Sequence, residues 1–433
     1  MNSFQDLGVR ARTLENLSRQ RLLTPTPVQE EALPLLLSGQ DCVIQSPTGS
    51  GKTLAFLIPL SEKLEGHQQS PPRALIITPT RELATQIGGV LNRLDPRLRV
   101  SLVFGGVGYQ GQINQLRTAD VIIGCPGRLV DMAQRGAARL GAVQYLVLDE
   151  ADEMLDAGFA KDVEDLVERT NHRFTPGPRQ TVLASATMPD WVTKMAQKHL
   201  TSPGRVTVAP PEEADLEHGL ISLPKAQKVA YLSQLLQQST STIVFHRTKH
   251  GARKLAHDLT LLGHSTAELQ GNLSQAARDR SIAAFRKREA RVLVATNVAA
   301  RGIDVKDVNL VVNFELPDTA QWLTHRVGRT ARNGAKGRAL TFLSEDDSEK
   351  WRKLRREGAP ELRFVDAGRL LSTGSMHYVA DVPHLVAARP SGPRSQGERN
   401  PSRRPGQRPG ANWGGSRQGR PQGRPGPSPR RPA

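Results

Sequence analysis

The sequence predicts an α/β protein made of two tandem doubly wound parallel-sheet domains and a disordered basic C-terminal tail. Three observations carry that expectation. Short apolar, β-branched runs alternate with helical patterns from Asp41 to Leu343, as expected of parallel sheets covered on both faces. A polar, proline-broken stretch, Ala209-Pro210-Pro211-Glu212-Glu213-Ala214-Asp215, divides the alternation into two series. From Arg389 on, the chain is Arg, Pro, Gly, Ser and Gln with a single aromatic, Trp413. Such a segment buries too little apolar surface to offset its backbone entropy.

In the first series, residues 1–208, strands are expected at 41–45, 74–78, 100–104, 121–123, 145–148 and 181–184. Helical patterns at 83–94 and 162–169 lie between them. Residues 209–216 read as the linker. In the second series, 217–365, strands are expected at 242–245, 266–269, 291–295, 310–314 and 339–343, separated by helices at 250–262, 275–287 and 346–356. Over 366–388 the signals fade into an extension whose structure the sequence leaves open. Residues 389–433 form the tail, and 433 residues suit two domains with such an appendage.

Charge is unevenly placed. The formal net charge is +17, and residues 389–433 contribute +10 of it through eleven Arg against one acid, Glu398. That points to a polyanionic partner. Two cysteines, Cys42 and Cys125, give no disulfide framework and fit a reducing compartment. Neither a secretory signal nor an apolar run of membrane-spanning length is present. The expectation is a soluble cytoplasmic protein with no membrane partner.

Chemistry enters at two places. Cys42-Val43-Ile44 leads through Ser46-Pro47-Thr48-Gly49-Ser50-Gly51 into Lys52-Thr53 and a helical pattern. A strand, a glycine-rich turn and a helix cradle a triphosphate with backbone N–H groups and a lysine. The first position departs from the strict pattern, being Ser46 rather than Gly. Downstream, Tyr145-Leu146-Val147-Leu148 runs straight into Asp149-Glu150-Ala151-Asp152. A buried strand ending in adjacent carboxylates calls for a cation. Mg2+ shared by the Thr53 hydroxyl and Asp149, with Glu150 left to position or deprotonate a water, satisfies both features. The second series has no glycine-lysine loop, so one site fed by two domains across a cleft is the economical reading.

Further clusters follow in order: Phe4 with Pro25-Thr26-Pro27-Val28-Gln29; Pro79-Thr80-Arg81-Glu82-Leu83-Ala84; Gly105-Gly106; Cys125-Pro126-Gly127-Arg128; and Ser185-Ala186-Thr187. The second series adds Thr248-Lys249, Gln275 with Arg278, Thr296 through Arg301-Gly302-Ile303-Asp304, and His325-Arg326-Val327-Gly328-Arg329-Thr330-Ala331-Arg332. Together these motifs resemble the DEAD-box ATP-dependent RNA helicases of superfamily 2, with a bacterial appearance, over roughly Phe4 to Arg356.

The resemblance implies two RecA-like domains that hydrolyse ATP with Mg2+ and unwind short RNA duplexes by closing on them. It implies that Phe4 stacks on adenine and Gln29 reads it, while Asp304 holds the ribose. Thr48, Gly49, Ser50, Gly51, Lys52 and Thr53 would bind the phosphates. Lys52, Asp149 and Glu150, with Arg329 and Arg332 as arginine fingers, would carry catalysis. Asp152, Ser185, Thr187 and His325 would couple the domains.

For RNA, the family pattern implies Pro79, Thr80, Arg81, Gly105, Gly106, Gly127 and Arg128 in the first domain. Arg247, Arg278, Thr296, Arg301 and Gly302 would serve in the second. These residues would reach phosphate and ribose rather than bases. Aromatics are 4% of the chain and none alternates with the basic motifs, so no base-stacking platform is expected. Ribonucleoprotein or RNA-decay factors are the partners the family suggests.

Several residues depart from the family pattern: Arg21, Pro47, Cys125, Gln270, Asn272 and, at the domain interface, Asn297 in place of an aspartate. An ATP-gated RNA clamp would use the same residues as a helicase. A DNA translocase fits the motifs poorly.

Overall fold

The computed structural model describes residues 2–64, 72–170, 179–209, 216–300, 308–331 and 336–379. Seven strands make the first sheet: β1 (Cys42–Gln45), β2 (Ala74–Ile77), β3 (Val100–Val103), β4 (Val121–Gly124), β5 (Tyr145–Asp149), β6 (Gln180–Ser185) and β7 (Gly204–Thr207). All are parallel, in the order β3-β4-β2-β5-β6-β1-β7. Its central strands are apolar at nearly every position because both faces are covered. Ala74 and Ile76 of β2 enter one core while Leu75 and Ile77 enter the opposite one, the period-2 alternation of a pleated strand.

The second sheet has eight strands: β8 (Leu216–Ser222), β9 (Thr242–Phe245), β10 (Thr266–Leu269), β11 (Val292–Ala295), β12 (Leu310–Asn313), β13 (Gly337–Leu343), β14 (Arg363–Val365) and β15 (Tyr378–Val379). Their order is β10-β11-β9-β12-β13-β8-β14-β15, parallel except for the terminal β14–β15 pair. Val244, Val294 and Val312 pack on one face; Ile243, Leu293 and Val311 pack on the other.

Four strands escape the sequence reading. β7 is an edge strand with one apolar buried residue, Val206. β8 carries Glu217, His218 and Gly219 and begins at Leu216, inside the expected linker. β14 and β15, with the helix Ala367–Thr373 between them, bring residues of the expected 366–388 extension onto the second sheet. Each of these strands is short or polar because it sits at or near a sheet edge. The basic tail lies outside the described residues, and no described helix is long and apolar enough to cross a membrane.

Register brings the motifs together. Gln45 pairs with Ser185 and Asp149 pairs with Ala184, so β1, β6 and β5 end side by side at their C-terminal edge. That edge is where open α/β sheets place their ligands. Helices of both domains start with side-chain caps: Thr80 accepts from Leu83 N, Thr248 from Gly251 N, Ser274 from Ala277 N and Thr319 from Trp322 N.

Candidate nucleotide site and interdomain cleft

The loop between β1 and the helix Lys52–Lys63 is built for a close backbone approach. Gly49 and Gly51 take φ of +88° and +102°, a region that favours glycine. A Cβ on Gly51 would meet Thr26 Oγ1 at 2.6 Å and Gln29 Nε2 at 2.7 Å. The Gln29 side chain explains that crowding. Its Oε1 accepts from Thr26 N at 3.0 Å, and its Nε2 donates to Gly51 O at 3.0 Å. Gln29 therefore braces the loop as well as standing where the family pattern puts an adenine reader. Phe4 is 3% exposed and packed into the first domain's core, so its ring is covered by protein in this conformation.

Lys52 is buried, with Nζ donating to Ser46 O at 2.6 Å and Pro47 O at 2.9 Å. The ammonium is thus folded onto the loop's own carbonyls, where phosphate oxygens would compete for it. Ser46, the departure from the strict pattern, is hydrogen-bonded to Ser50 through their hydroxyls at 2.7 Å, and its N–H donates to Ser185 O at 3.1 Å.

Two strands away, Asp149 is 3% exposed. Burial, reinforced by Glu150, pushes its carboxyl up to about 7 against the pull of Lys52. Burial and then Glu153 push Glu150 up to about 8. Glu150 sits at φ 52°, and its Oε2 has no hydrogen-bond partner among the described residues. A strained, non-glycine residue with an orphaned carboxylate oxygen marks a site shaped for something other than stability. A divalent cation fits there. Among the described residues no cluster of three or more His, Cys, Asp or Glu forms a ready metal cage.

From these strand ends a polar network crosses to the second domain. Asp152 Oδ2 accepts from Thr187 N at 2.8 Å and Thr187 Oγ1 at 2.7 Å. Ser185 Oγ donates to Thr187 O at 2.7 Å and accepts from Asp152 N at 3.3 Å. Gln321 Nε2, from the helix Ala320–Val327 of the second domain, donates to Thr187 Oγ1 at 2.9 Å. His325 on the same helix stands 3.6 Å from Asp152 Oδ2 and 3.3 Å from Glu153 Oε1. Burial raises the Asp152 carboxyl, but the His325 imidazole and Thr187 outweigh it and hold it at about 2. Arg329 Nη2 lies 3.9 Å from Glu153 Oε1, and its charge also lowers Glu150.

Of the expected RNA residues, Arg81 stacks on Phe104 at 4.7 Å, and a Cβ on Gly106 would collide with its Nη1. Arg128 stacks on Tyr109 at 4.1 Å. A Cβ on Gly105 would meet nothing within 4 Å, and one on Gly127 only Asp162 Oδ2 at 3.7 Å. Both glycines therefore leave their backbones open. Pro79 and Thr80 are buried, Thr80 as a helix cap. Arg247 is exposed, and Thr296 is buried at the end of β11. Arg278 instead spans the cleft, donating to Glu82 Oε1 at 2.7 and 3.0 Å. Arg301, Gly302, Asp304 and Arg332 lie outside the described residues.

Sequence reasoning passed over Glu82, Glu153, Gln321 and Arg326. All lie inside or beside recognised motifs, but their partners are far off in the chain. It also expected no aromatic among the basic motifs. β3, β4 and β2 lie side by side, and that order sets Phe104 and Tyr109, which follow β3, beside Arg128, which follows β4, and Arg81, which follows β2.

The fold and the site define a two-domain nucleoside triphosphatase whose phosphate loop and carboxylates lie on one domain and whose cationic helix lies on the other. The DEAD/DEAH box helicase family matches residues 26–195, and the helicase conserved C-terminal domain matches 227–334. The chain is 39% identical to RNA helicase CrhR of Synechocystis, over 80% of this chain and 70% of that protein. To the DEAD-box ATP-dependent RNA helicase CshA of Geobacillus kaustophilus it is 38% identical, over 79% and 74%.

Among solved structures, S. cerevisiae Dbp5 bound to RNA and ADP BeF3 matches with a TM-score of 0.74 at 32% identity, over 85% of this chain and 97% of that one. A DEAD box protein from Methanococcus jannaschii matches with a TM-score of 0.51 at 33% identity, over 84% and 99%. The chain belongs to the DEAD-box ATP-dependent RNA helicases, ATP-hydrolysing enzymes of two RecA-like domains.

Proposed function

We propose that the two domains close on RNA and ATP together, that hydrolysis occurs in the closed state, and that reopening releases a locally separated duplex. The observation that carries this is the Thr187 hydroxyl. It donates to Asp152 in the first domain and accepts from Gln321 in the second, so the carboxylate motif and the cationic helix are joined through one atom.

In this reading the backbone N–H groups of Thr48, Gly49, Ser50 and Gly51 cradle the phosphates, and Lys52 turns from its loop carbonyls to the β- and γ-phosphates. Thr53 and Asp149 would hold Mg2+, which would supply neutralisation of phosphate charge. Glu150, beside Asp149 at the end of β5, positions the attacking water or takes its proton. Arg329 and Arg332 complete the γ-phosphate site from the second domain. Phe4 and Gln29 meet the adenine and Asp304 the ribose. Asp152, Ser185, Thr187 and His325 report closure.

RNA lies along Pro79, Thr80, Arg81, Gly105, Gly106, Gly127 and Arg128, and along Arg247, Arg278, Thr296, Arg301 and Gly302. Its phosphates and riboses are held there. Action in the cytoplasm, within ribonucleoprotein or RNA-decay assemblies, fits such a role.

The test is Glu150→Gln. It should keep ATP and RNA binding, lower turnover by roughly a hundredfold or more, as removal of a general base does, and trap RNA in the presence of ATP. RNA leaving the variant as fast as it leaves the wild type in ATP would refute the assignment.

A further inference from the structure

The first domain carries a groove of about 710 Å³ between the helices Arg81–Leu94 and Tyr109–Leu116. Gly88 and Gly89 open one wall, and Gly108 and Gly111 open the other. Leu102, Phe104 and Val107 supply an apolar floor. The volume falls in the range of small-ligand sites, roughly 300–1,000 Å³.

The edges of the groove are cationic and belong to the RNA face. Arg81 lies 4.7 Å from the Phe104 ring centroid while also pressing on Gly106, so one guanidinium touches both the face and the groove wall. Arg128 Nη1 donates to Val107 O at 3.1 Å. Its guanidinium, with that of Arg135 at 4.5 Å, stacks on Tyr109, which is 40% exposed. The nearby carboxylates are committed, Glu82 to Arg278 and Asp131 to Arg135. An apolar slot edged by guanidinium groups suits a flat π-faced group attached to a polyanion.

We infer that the groove captures one unpaired nucleobase of the bound RNA, seated against Phe104 while Arg81 or Arg128 holds an adjacent phosphate. This rests on the reading that Arg81, Gly105, Gly106 and Arg128 face RNA. The side-chain amides of Asn92 and Gln115 line the same groove and offer donors and acceptors to a base edge. One position of the strand is therefore read, on an otherwise sequence-tolerant surface. A base held there is withdrawn from its duplex, which favours strand separation where the enzyme grips.

Gly89→Leu tests this. A Cβ at Gly89 meets only Arg93 Nη1, at 3.6 Å, so a side chain can start from this groove-lining position without a Cβ clash, and leucine is the better helix former. Single-stranded RNAs carrying 2-aminopurine at successive positions would be bound to full-length protein with Mg2+ and ADP·BeF3. In the wild type, one position should be strongly quenched by stacking. In Gly89→Leu that position should brighten and affinity should fall about tenfold, as expected for one stacked base. An abasic nucleotide at that position should weaken wild-type binding equally and Gly89→Leu binding no further.

Gly111→Leu, on the opposite wall with nothing within 4 Å of its Cβ, should reproduce the effect if the first variant melts early. If both variants keep wild-type affinity and quenching while Arg128→Ala weakens binding, base capture is wrong and the RNA face stands. If Arg81→Ala and Arg128→Ala both bind RNA normally, the RNA-face reading falls, and base capture with it.

Discussion

Asn297→Asp should stabilise the protein, because the structure places an arginine in the second domain's core with no bonded carboxylate among the described residues. Arg326 is 1% exposed. Its Nε donates to Asn297 Oδ1 at 2.6 Å, and its Nη1 donates to Asn313 Oδ1 at 3.0 Å and Glu315 O at 2.8 Å. All three acceptors are neutral, and Nη2 has no hydrogen-bond partner among the described residues. The Phe245 ring, 5.1 Å from the guanidinium carbon, is the other favourable neighbour. Burial pulls Arg326 down to about 9, against the distant charges of Asp318 and Glu315. Arginine stays protonated in proteins, so that displacement measures a desolvation cost of a few kcal/mol, at about 1.4 kcal/mol per pKa unit.

A carboxylate at position 297 would turn the 2.6 Å interaction into a charge-assisted bond. It must itself be desolvated, so the net gain is about 1–2 kcal/mol. For a domain of this size that is a rise in Tm of roughly 3–6 °C. Differential scanning calorimetry of the full chain near neutral pH, with and without ATP analogue and RNA, measures it. An unchanged or lower Tm would refute the argument that Arg326 lacks compensation. Duplexes separated per ATP should be measured in the same variant. No change there would make the departure neutral for coupling.

Other outcomes follow from single interactions. Gln321→Ala removes the donor to Thr187 Oγ1 and should cut RNA-stimulated turnover about tenfold, on the order of one hydrogen bond in a closed site. ATP affinity in the absence of RNA should not move; a drop in that affinity instead would place Gln321 at the nucleotide. Burial holds the His218 imidazole down at about 4 on β8, where it is hydrogen-bonded to Thr341 Oγ1 at 3.0 Å. Unfolding releases the ring to its ordinary value near about 6.5. The stabilisation from its neutral form is therefore full above pH ~6.5 and is lost as pH falls toward about 4. His218→Gln should flatten the decline of Tm over that window, and parallel curves would refute the assignment. Removing residues 389–433, with their eleven Arg, should weaken RNA binding at low salt and flatten its salt dependence by about 0.7 for each phosphate the tail neutralises. The ATPase maximum at saturating RNA should stay unchanged, and identical salt slopes would show that the tail does not touch RNA.

How much of this was legible in the sequence depends on where the information lies. Strands Thr242–Phe245 and Thr266–Leu269 are read to the residue, the first as a short apolar, β-branched run and the second, despite Glu268, because glycine turn signals at Gly263 and Gly271 bound it. β8 escapes because Glu217, His218 and Gly219 break its pattern, and it is held by pairing with β13 along seven residues. In the site, Lys52, Asp149 and Asp152 are legible because local spacing around a strand end already specifies the chemistry. The Glu82–Arg278 pair spans 196 residues and two domains, and no local pattern marks which arginine the one acid of the Thr80–Ala84 motif will meet. Phe104 and Tyr109 are missed for a related reason. Aromatic content alone does not show that the parallel neighbours β3, β4 and β2 set two rings among the arginines.

The same distribution explains how hydrolysis can be tied to domain placement without a dedicated switch element. Asp149 and Glu150 are held by β5 and the turn after it, entirely within the first domain. Asp152, two residues beyond Glu150, already depends on the second domain, since His325 beside it holds its carboxyl at about 2. Gln321 and His325 share one helix, and Arg329 follows close behind its end at Val327. Moving that helix withdraws the Thr187 hydrogen bond, the imidazole beside Asp152 and the charge facing Glu150 together. Asp152 and Glu153 would then lose the cationic groups that face them from the second domain. On the proposed mechanism an open cleft hydrolyses poorly because it lacks the second-domain groups that complete the site. On the same proposal, RNA that bridges the two domains favours hydrolysis by holding one helix in place.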